Sequence, residues 1–236
     1  DVSVETQLNI SVGPATGFIT IREYHNIGGN QIENIKNYDQ LISTNPNFPN
    51  SIVNGEADFE GKASKFEWPP GSDPDDPNSI PPNHVRDNYG WQAIGYLHPP
   101  KTGDYQFYVA TDDNSELYLS TDEDSSNVVK IAQENTWRGV RNYASSNNDE
   151  AVSKPIKLEG GKRYYIELIV KEGGGGDNMA VAWKMPGGNT PQYRSAPIPG
   201  EYLEPWDNKV NDKVAPIISL QGSPTINHEA GTDFID

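Results

Sequence analysis

Short runs of alternating apolar and polar residues constrain the fold of this chain more than any other feature. Successive side chains of a β-strand point to opposite faces, so this alternation is typical of strands with one face in a core. Twenty-two glycines and 19 prolines, about one residue in six, interrupt the chain too often for long helices. The alternating runs predict strands at 18–24, 91–98, 104–111, 116–120, 128–132, 155–158, 163–171 and 179–185. The sequence therefore predicts an all-β fold.

The segments between these strands carry weaker signals. The turn Pro-Pro-Lys-Thr-Gly-Asp contains Gly103, which is free to adopt positive φ, and it predicts that residues 91–111 form a hairpin. Apolar residues at a three-residue step predict one short helix over 31–42. Residues 67–83 contain six prolines and no periodicity, which predicts a long loop.

The formal net charge of −16 limits the partners of the chain. Such a chain repels phosphate backbones and anionic lipid faces, so we expect neither nucleic-acid binding nor membrane insertion. The surplus of carboxylates suits both solubility in salt and the binding of hard cations, and charge alone leaves both open. The absence of cysteine excludes disulfides, thiolate nucleophiles and Cys-ligated zinc.

Composition divides the chain into three expected parts. Residues 1–16 are expected to belong to a neighbouring module, and 17–207 form the main domain. Residues 208–236 comprise a polar linker and the start of a further module, with too few residues to bury a core. This tail is similar to the opening strands of bacterial immunoglobulin-like adhesin repeats. The chain opens DVSVET without the features of a signal peptide, and we expect a soluble piece of a longer protein.

Two of the predicted strands end in acidic loops. Asp112 and Asp113 follow the strand at 104–111, and the run EGGGGDN follows the strand at 163–171. In an extended trans strand the two aspartates point to opposite faces, so both reach one ion only with a special backbone, and a cis peptide would bring them together. Calcium accepts about six to eight oxygens and mixes carboxylates with the backbone carbonyls that four glycines can supply. An ordinary turn at the aspartates and a flexible linker at the glycines are the alternative interpretation.

Four segments in order resemble one known family. They are YGWQAIGYLHPPKTGDYQFYVATDDNSELYLS, PIKLEGGKRYYIELIVKEGGGG, MAVAWKMPGG and IPGEYLEP. Over residues 17–207 they are similar to the protective-antigen-type ("PA-fourteen") lectin domain, and most of all to the sugar-binding modules of large ice-binding repeats-in-toxin adhesins. The resemblance implies a β-sandwich with one short helix. In sugar-binding members a cis Asp-Asp pair and a second loop hold calcium, and vicinal sugar hydroxyls complete its shell.

The resemblance transfers a set of site residues to this chain. Asp112 and Asp113 match the Asp-Asp pair, and the second-loop ligand falls on Asp177 or Asn178. The implied metal ligands are Asp112, Asp113, Asp177 and the carbonyls of Gly174 and Gly176. The implied sugar contacts are Asp112, Asp113, Asp177 and Asn178. Gln92, expected near the same end of the sheet, is a candidate for a hydrogen bond to the sugar. Trp137, in the loop NTWRGVRN, is a candidate to stack on a sugar ring, with a buried core aromatic as the alternative interpretation.

The expected function is that of a calcium-dependent lectin module of an extracellular, cell-surface bacterial adhesin. It would bind fucose- or glucose-type glycans on other cells at calcium concentrations of about 10⁻⁴ to 10⁻³ M, beside tandem modules of the same chain. A calcium-rigidified spacer without sugar binding is the first alternative. A glycosidase is the second, and it needs two carboxylates flanking a scissile bond. Asp112 and Asp113 would be poor acids when bound to calcium, so no catalytic residue is predicted.

Overall fold

The computed structural model describes residues 16–32, 57–69, 87–144 and 149–206, together with the backbone of 228–229 and 232–233. The chain divides into two compact units, Asp1–Trp206 and Asp207–Asp236. In the second unit, β12 (His228–Glu229) pairs with β13 (Thr232–Asp233) in an antiparallel ladder. Among the residues described, no helix has the length and apolar character needed to cross a bilayer.

A seven-stranded antiparallel sheet forms one layer of the first unit. Its strands follow the order β2-β1-β4-β9-β6-β7, and β11 pairs with β4 beyond the end of β1. The bounds are β1 (Ile19–Tyr24), β2 (Phe59–Ala63), β4 (Tyr89–Leu97), β6 (Asn114–Ser120), β7 (Val128–Glu134), β9 (Tyr164–Glu172) and β11 (Leu203–Pro205). Strands β4 and β9 lie inside this sheet, and every residue of both is buried.

A four-stranded antiparallel sheet forms the other layer, in the order β3-β10-β5-β8. Its bounds are β3 (Glu67–Trp68), β5 (Gly103–Asp112), β8 (Ile156–Leu158) and β10 (Asn178–Lys184). One hydrophobic core joins the two sheets, with Trp91 and Leu168 from the first layer and Phe107 and Val181 from the second. The described residues also include short 3-10 turns at Ser125–Asn127 and Gly200–Tyr202. The predicted all-β sandwich is confirmed.

The predicted hairpin over 91–111 is wrong, because β4 and β5 lie in different sheets. One edge of β4 pairs with β1 and β11 and the other with β9, so no edge is left for β5. Gly103 does adopt a positive φ of 155°, yet the connection crosses from one layer to the other. The same turn residues suit a hairpin and a connection between two sheets, so they do not distinguish the two; the pairing of both edges of β4 does.

Two other predictions fall partly or wholly outside the described residues. The helix expected over 31–42 lies outside them apart from its first two residues. Of the loop expected over 67–83, Glu67 and Trp68 instead pair with Ala180 and Met179 as strand β3, and residues 70–83 lie outside the described residues. Sequence periodicity missed β2, β3 and β11, of which the last two have three residues or fewer.

Candidate metal and ligand site

The two acidic loops meet at one end of the sandwich. Strand β5 ends at Asp112, which is the register partner of Asn178 at the start of β10. Residues 173–177, here called the glycine loop, connect the end of β9 in one sheet to β10 in the other. The antiparallel pairing of β5 with β10 therefore places the Asp112–Asp113 turn against the glycine loop.

Three carboxylates gather at this end. The Asp112–Asp113 peptide is cis, as the family resemblance implies. One carboxylate oxygen from each of Asp112, Asp113 and Glu172 lies within 4.8 Å of the others. The backbone N–H of Gly173 donates to Asp113 Oδ2 at 3.0 Å, which ties the glycine loop to the aspartate turn.

The glycine loop contributes a further carboxylate and a close backbone approach. Asp177 Oδ1 accepts a hydrogen bond of 2.6 Å from the hydroxyl of Tyr89, at the start of β4. A Cβ atom on Gly176 would lie 2.5 Å from Asp112 Oδ2, and one on Gly174 would lie 3.0 Å from Asp87 Oδ1. Only glycine lets the loop backbone run this close to the carboxylates.

The electrostatics of the cluster favour a bound cation. Burial first, and then the charge of Asp113, raise the pKa of Asp112 to about 7. Burial and the charges of Asp113, Asp177 and Asp112 raise the pKa of Glu172 to about 9. Burial lowers the pKa of the adjacent Lys171 to about 8, and its ammonium group donates to the main-chain oxygen of Glu172. The ionised carboxylates repel one another, and a divalent cation among them would relieve that repulsion.

Oxygen atoms without hydrogen-bond partners provide an independent test of this interpretation. Within the described part of the chain, Oε1 and Oε2 of Glu172 and Oδ1 of Asn178 are buried and accept no hydrogen bond. Carboxylate, amide and carbonyl oxygens are the ligands of hard cations, and an irregular loop suits the flexible coordination of Ca²⁺ better than the octahedral demand of Mg²⁺. The residues present therefore fit a calcium ion.

The loop at 135–144, here called the Trp137 loop, borders the carboxylates. The backbones of Asp112 and Trp137 form an isolated antiparallel bridge, and the N–H of Arg138 donates to Thr111 O at 2.6 Å. The indole of Trp137 is 64% exposed. The side-chain amide of Asn178 donates to Arg138 O at 3.0 Å, so the start of β10 supports the same loop.

A buried ion pair anchors the other end of the Trp137 loop. The guanidinium of Arg141 donates to both carboxylate oxygens of Glu67 on β3, at 2.6 and 2.7 Å, and both side chains are buried. Paired hydrogen bonds from a planar guanidinium fix orientation as well as distance. The loop that presents Trp137 is therefore attached to the sheet at both ends.

Gln92 stands apart from this site. It occupies the middle of β4 and points to the face opposite Tyr89 and Trp91, since its separation from each is odd. Its amide is buried and donates to Glu167 Oε1 at 2.6 Å. The structure does not bring Gln92 to the carboxylates, because the strand alternation directs its side chain to the other face of the sheet.

Sequence reasoning missed Glu172 and Tyr89. Glu172 continues the row of core-facing residues that includes Leu168 and Val170, and this period of two is a signal that could have identified it. Tyr89 lies opposite Glu172 in the β4–β9 register, and that pairing is non-local.

The chain is an all-β protein, a two-layer antiparallel sandwich with an acidic loop cluster at one end. The sequence profile of the PA14 domain matches residues 47–194, and the chain belongs to the PA14 domain family.

Two solved structures show the same fold. The chain is similar to the PA14 sugar-binding domain from an RTX adhesin, with 17% identity, 80% of this chain and 98% of that one covered, and a TM-score of 0.51. It is also similar to the Epithelial Adhesin 6 A domain from Candida glabrata in complex with Galb1-3GlcNAc, with 13% identity, coverage of 84% and 90%, and a TM-score of 0.50.

One curated relative matches part of the sequence more closely. The chain is 37% identical over 102 residues to the mouse N-acetyl-beta-glucosaminyl-glycoprotein 4-beta-N-acetylgalactosaminyltransferase 1. The match covers 41% of this chain and 10% of that protein, so the shared segment is a small part of the mouse enzyme.

Proposed function

We propose that this chain is a calcium-dependent carbohydrate-binding module of a bacterial cell-surface adhesin. The observation that carries the proposal is the convergence of Asp112, Asp113 and Glu172 on one point at the end of the sandwich. Membership of the PA14 domain family supports it, as do relatives whose descriptions name sugar binding and an adhesin. The chain would act outside the cell, beside other modules of the same protein.

Side chains and main-chain oxygens would share the coordination of the ion. Asp112, Asp113 and Asp177 supply carboxylates, and Gly174 and Gly176 supply carbonyl oxygens. The Tyr89 hydroxyl supports the choice of Asp177, since it fixes this carboxylate at the edge of the cluster. Asn178 is buried, so it is better placed to support the ion through Oδ1 than to touch a sugar.

The sugar would bind at the open side of the ion. A bound calcium ion supplies two coordination positions for vicinal hydroxyls, and fucose- or glucose-type sugars carry such pairs. The backbone of Trp137 is bridged to that of Asp112, and its exposed indole offers an apolar face to the sugar ring. Gln92 is left out of the proposed contacts because its amide is engaged with Glu167.

The module would bind and release glycans without catalysing a reaction. The carboxylates that hold calcium are committed as ligands, which leaves them unsuited to proton transfer. One sugar held through two hydroxyls binds weakly, and many copies on one cell would supply avidity. In this proposal residues 17–207 are the sugar-binding domain, with 1–16 and 208–236 belonging to its neighbours.

Retention on immobilised sugar tests the proposal. The chain is passed over fucose- and glucose-coupled resin with calcium and then washed with a chelator. We expect retention that chelation reverses and that Asp113→Asn abolishes. Asp104→Asn is the matched control, since Asp104 is an exposed residue near the opposite end of β5, and it should be retained like the unaltered chain. Retention that survives chelation, or retention of Asp113→Asn, would contradict the proposal.

A rigid spacer that uses calcium only for stability is the second candidate. The cluster joins strand ends from both sheets, and an ion there would stiffen the sandwich even without a sugar. This function predicts no retention on any glycan, with a melting temperature that still rises on adding calcium. A glycan array read beside a calcium-dependent melting curve separates the two functions.

A further inference from the structure

Glu172 is a buried carboxylate whose side chain has no hydrogen-bond partner in the described part of the chain. It is the last residue of β9, its exposed fraction is 0%, and it lies beside Tyr89 in the sheet. Neither of its carboxylate oxygens accepts a hydrogen bond within the described part of the chain. An ionised carboxylate removed from water is strongly unfavourable unless a cation offsets its charge, and a carboxyl group that takes up a proton instead still leaves its oxygens without hydrogen bonds.

The neighbouring polar groups do not supply this interaction. The hydroxyl of Tyr89 donates to Asp177, and the N–H of Gly173 donates to Asp113. The ammonium group of Lys171 donates to the main-chain oxygen of Glu172. The side chain of Lys171 leaves the opposite face of β9, since adjacent residues of a strand alternate. Lys171 therefore offsets little of the cost of ionising Glu172: burial and the charges of the three aspartates raise the pKa of Glu172, each by more than Lys171 lowers it.

The position of Glu172 matches that of a ligand. One of its oxygens lies within 4.8 Å of oxygens from both Asp112 and Asp113, a spacing at which one ion can contact all three. Because Asp112 ends β5 in one sheet and Glu172 ends β9 in the other, an ion between them would connect β5 and β9 directly.

We propose that Glu172 is a direct ligand of the calcium ion, so that four carboxylates surround it: Asp112, Asp113, Glu172 and Asp177. This inference rests on the calcium site of the proposed function and adds a residue and a property to it. Calcium affinity rises with the number of charged ligands and with the rigidity of the site. A fourth carboxylate, held on a fully buried strand, makes the calcium Kd of the site lower than the value of about 10⁻⁴ to 10⁻³ M found in weak extracellular modules. Calcium is then a permanent part of the sugar-binding surface at extracellular concentrations and does not act as a switch.

Calorimetric titration with calcium tests the role of Glu172, using the full 236-residue chain. Terbium luminescence, sensitised by the nearby aromatic residues, reports the same site optically. The test variant is Glu172→Gln, which keeps the size of the side chain and removes its charge. The matched control is Glu167→Gln on the same strand, since Glu167 is also buried but bonds to Gln92 and Tyr165 on the opposite face.

We expect Glu172→Gln to raise the calcium Kd at least about tenfold, since outer-shell partners alone are worth about 10- to 100-fold in other metal sites. The number of ions bound is expected to stay the same, and Glu167→Gln is expected to bind like the unaltered chain. Melting in chelator checks folding: Glu172→Gln should melt at or above the temperature of the unaltered chain, because glutamine is always neutral, whereas the buried Glu172 must take up a proton on folding when no cation is bound.

Two different results would overturn the inference, and they are distinguishable. If the unaltered chain binds calcium and Glu172→Gln binds it equally tightly, Glu172 is a neutral space-filling group and only this inference fails. If the unaltered chain binds no calcium, the proposed function fails and the inference fails with it.

Discussion

Replacing Tyr89 with phenylalanine should separate the positioning of Asp177 from the stability of the fold. The Tyr89 hydroxyl donates to Asp177 Oδ1 at 2.6 Å, while its ring is fully buried and packs on Trp91 at a centroid distance of 4.8 Å. Phenylalanine keeps the ring and its packing and removes only the hydroxyl. The variant therefore changes how firmly Asp177 is held and leaves the shape of the core intact.

The expected magnitude follows from what the hydrogen bond does in each state. The bond joins two residues of the fold itself, so its loss is expected to lower stability with and without calcium, by about 1 kcal/mol because water reaches the half-buried Asp177. For a chain of this size that corresponds to a fall in Tm of about 2–4 °C. Calcium binding must then also order the released side chain, at a cost of about 0.5–1.5 kcal/mol. We therefore expect the calcium Kd to rise about 2- to 12-fold.

Calorimetric titration and thermal melting measure the two effects on the same sample. Tyr105→Phe is the matched control, since Tyr105 is also fully buried and its hydroxyl donates to Lys101 O at 2.7 Å, near the other end of β5. It should lower Tm and leave the calcium Kd unchanged. A Tyr89→Phe variant with lowered Tm and unaltered Kd would refute the positioning role, as would equal weakening of calcium binding by Tyr105→Phe.

Three further predictions follow from the same geometry. Gly176→Ala brings a Cβ to 2.5 Å from Asp112 Oδ2 and should displace that carboxylate. We therefore expect calorimetry to show weaker calcium binding, with little change of Tm in chelator. Gly139→Ala is the control: a Cβ there meets no atom within 4 Å, so calcium binding and Tm should both stay unchanged. The raised pKa values of Asp112 and Glu172 mean that the folded chain keeps protons that the unfolded chain has released. Stability in chelator should therefore fall as pH rises from about 4 towards 9. Melting curves should show a shallower fall for Glu172→Gln in chelator and for the unaltered chain in saturating calcium. The same pH dependence in these two samples and in the unaltered chain in chelator would contradict this. Arg141→Met leaves the buried carboxylate of Glu67 unpaired, so urea unfolding should show a loss of about 3–5 kcal/mol of stability. A loss below about 1 kcal/mol would show that this ion pair contributes little to the stability of the fold.

Local patterns in the sequence predict much of the sandwich. Alternation predicts β4, β5, β9 and β10 to within about two residues, because a strand with one face in a core carries that period along its own length. The acidic loop ends can also be predicted, since Asp112 and Asp113 are adjacent and the glycine loop follows a strand directly. These are properties of neighbouring residues, and they need no knowledge of the rest of the chain.

The tertiary structure decides which strands pair, and this determines the composition of the site. Residues 91–111 predict a hairpin by their turn, yet β1, β11 and β9 occupy both edges of β4 and send β5 to the other sheet. Pairing with β9 also brings Tyr89 to Glu172, which are 83 residues apart in the chain. A local pattern contains no information about such a partner.

The acidic cluster shows the same division. The sequence determined that carboxylates and glycines end two strands, and with them the hard-oxygen chemistry of any ion that binds there. Only the packed sandwich decided that Glu172 faces the aspartates while Gln92 faces away. The reason is physical: alternation fixes that neighbouring side chains lie on opposite faces, but the choice of the inner face depends on how the whole sheet buries its apolar surface.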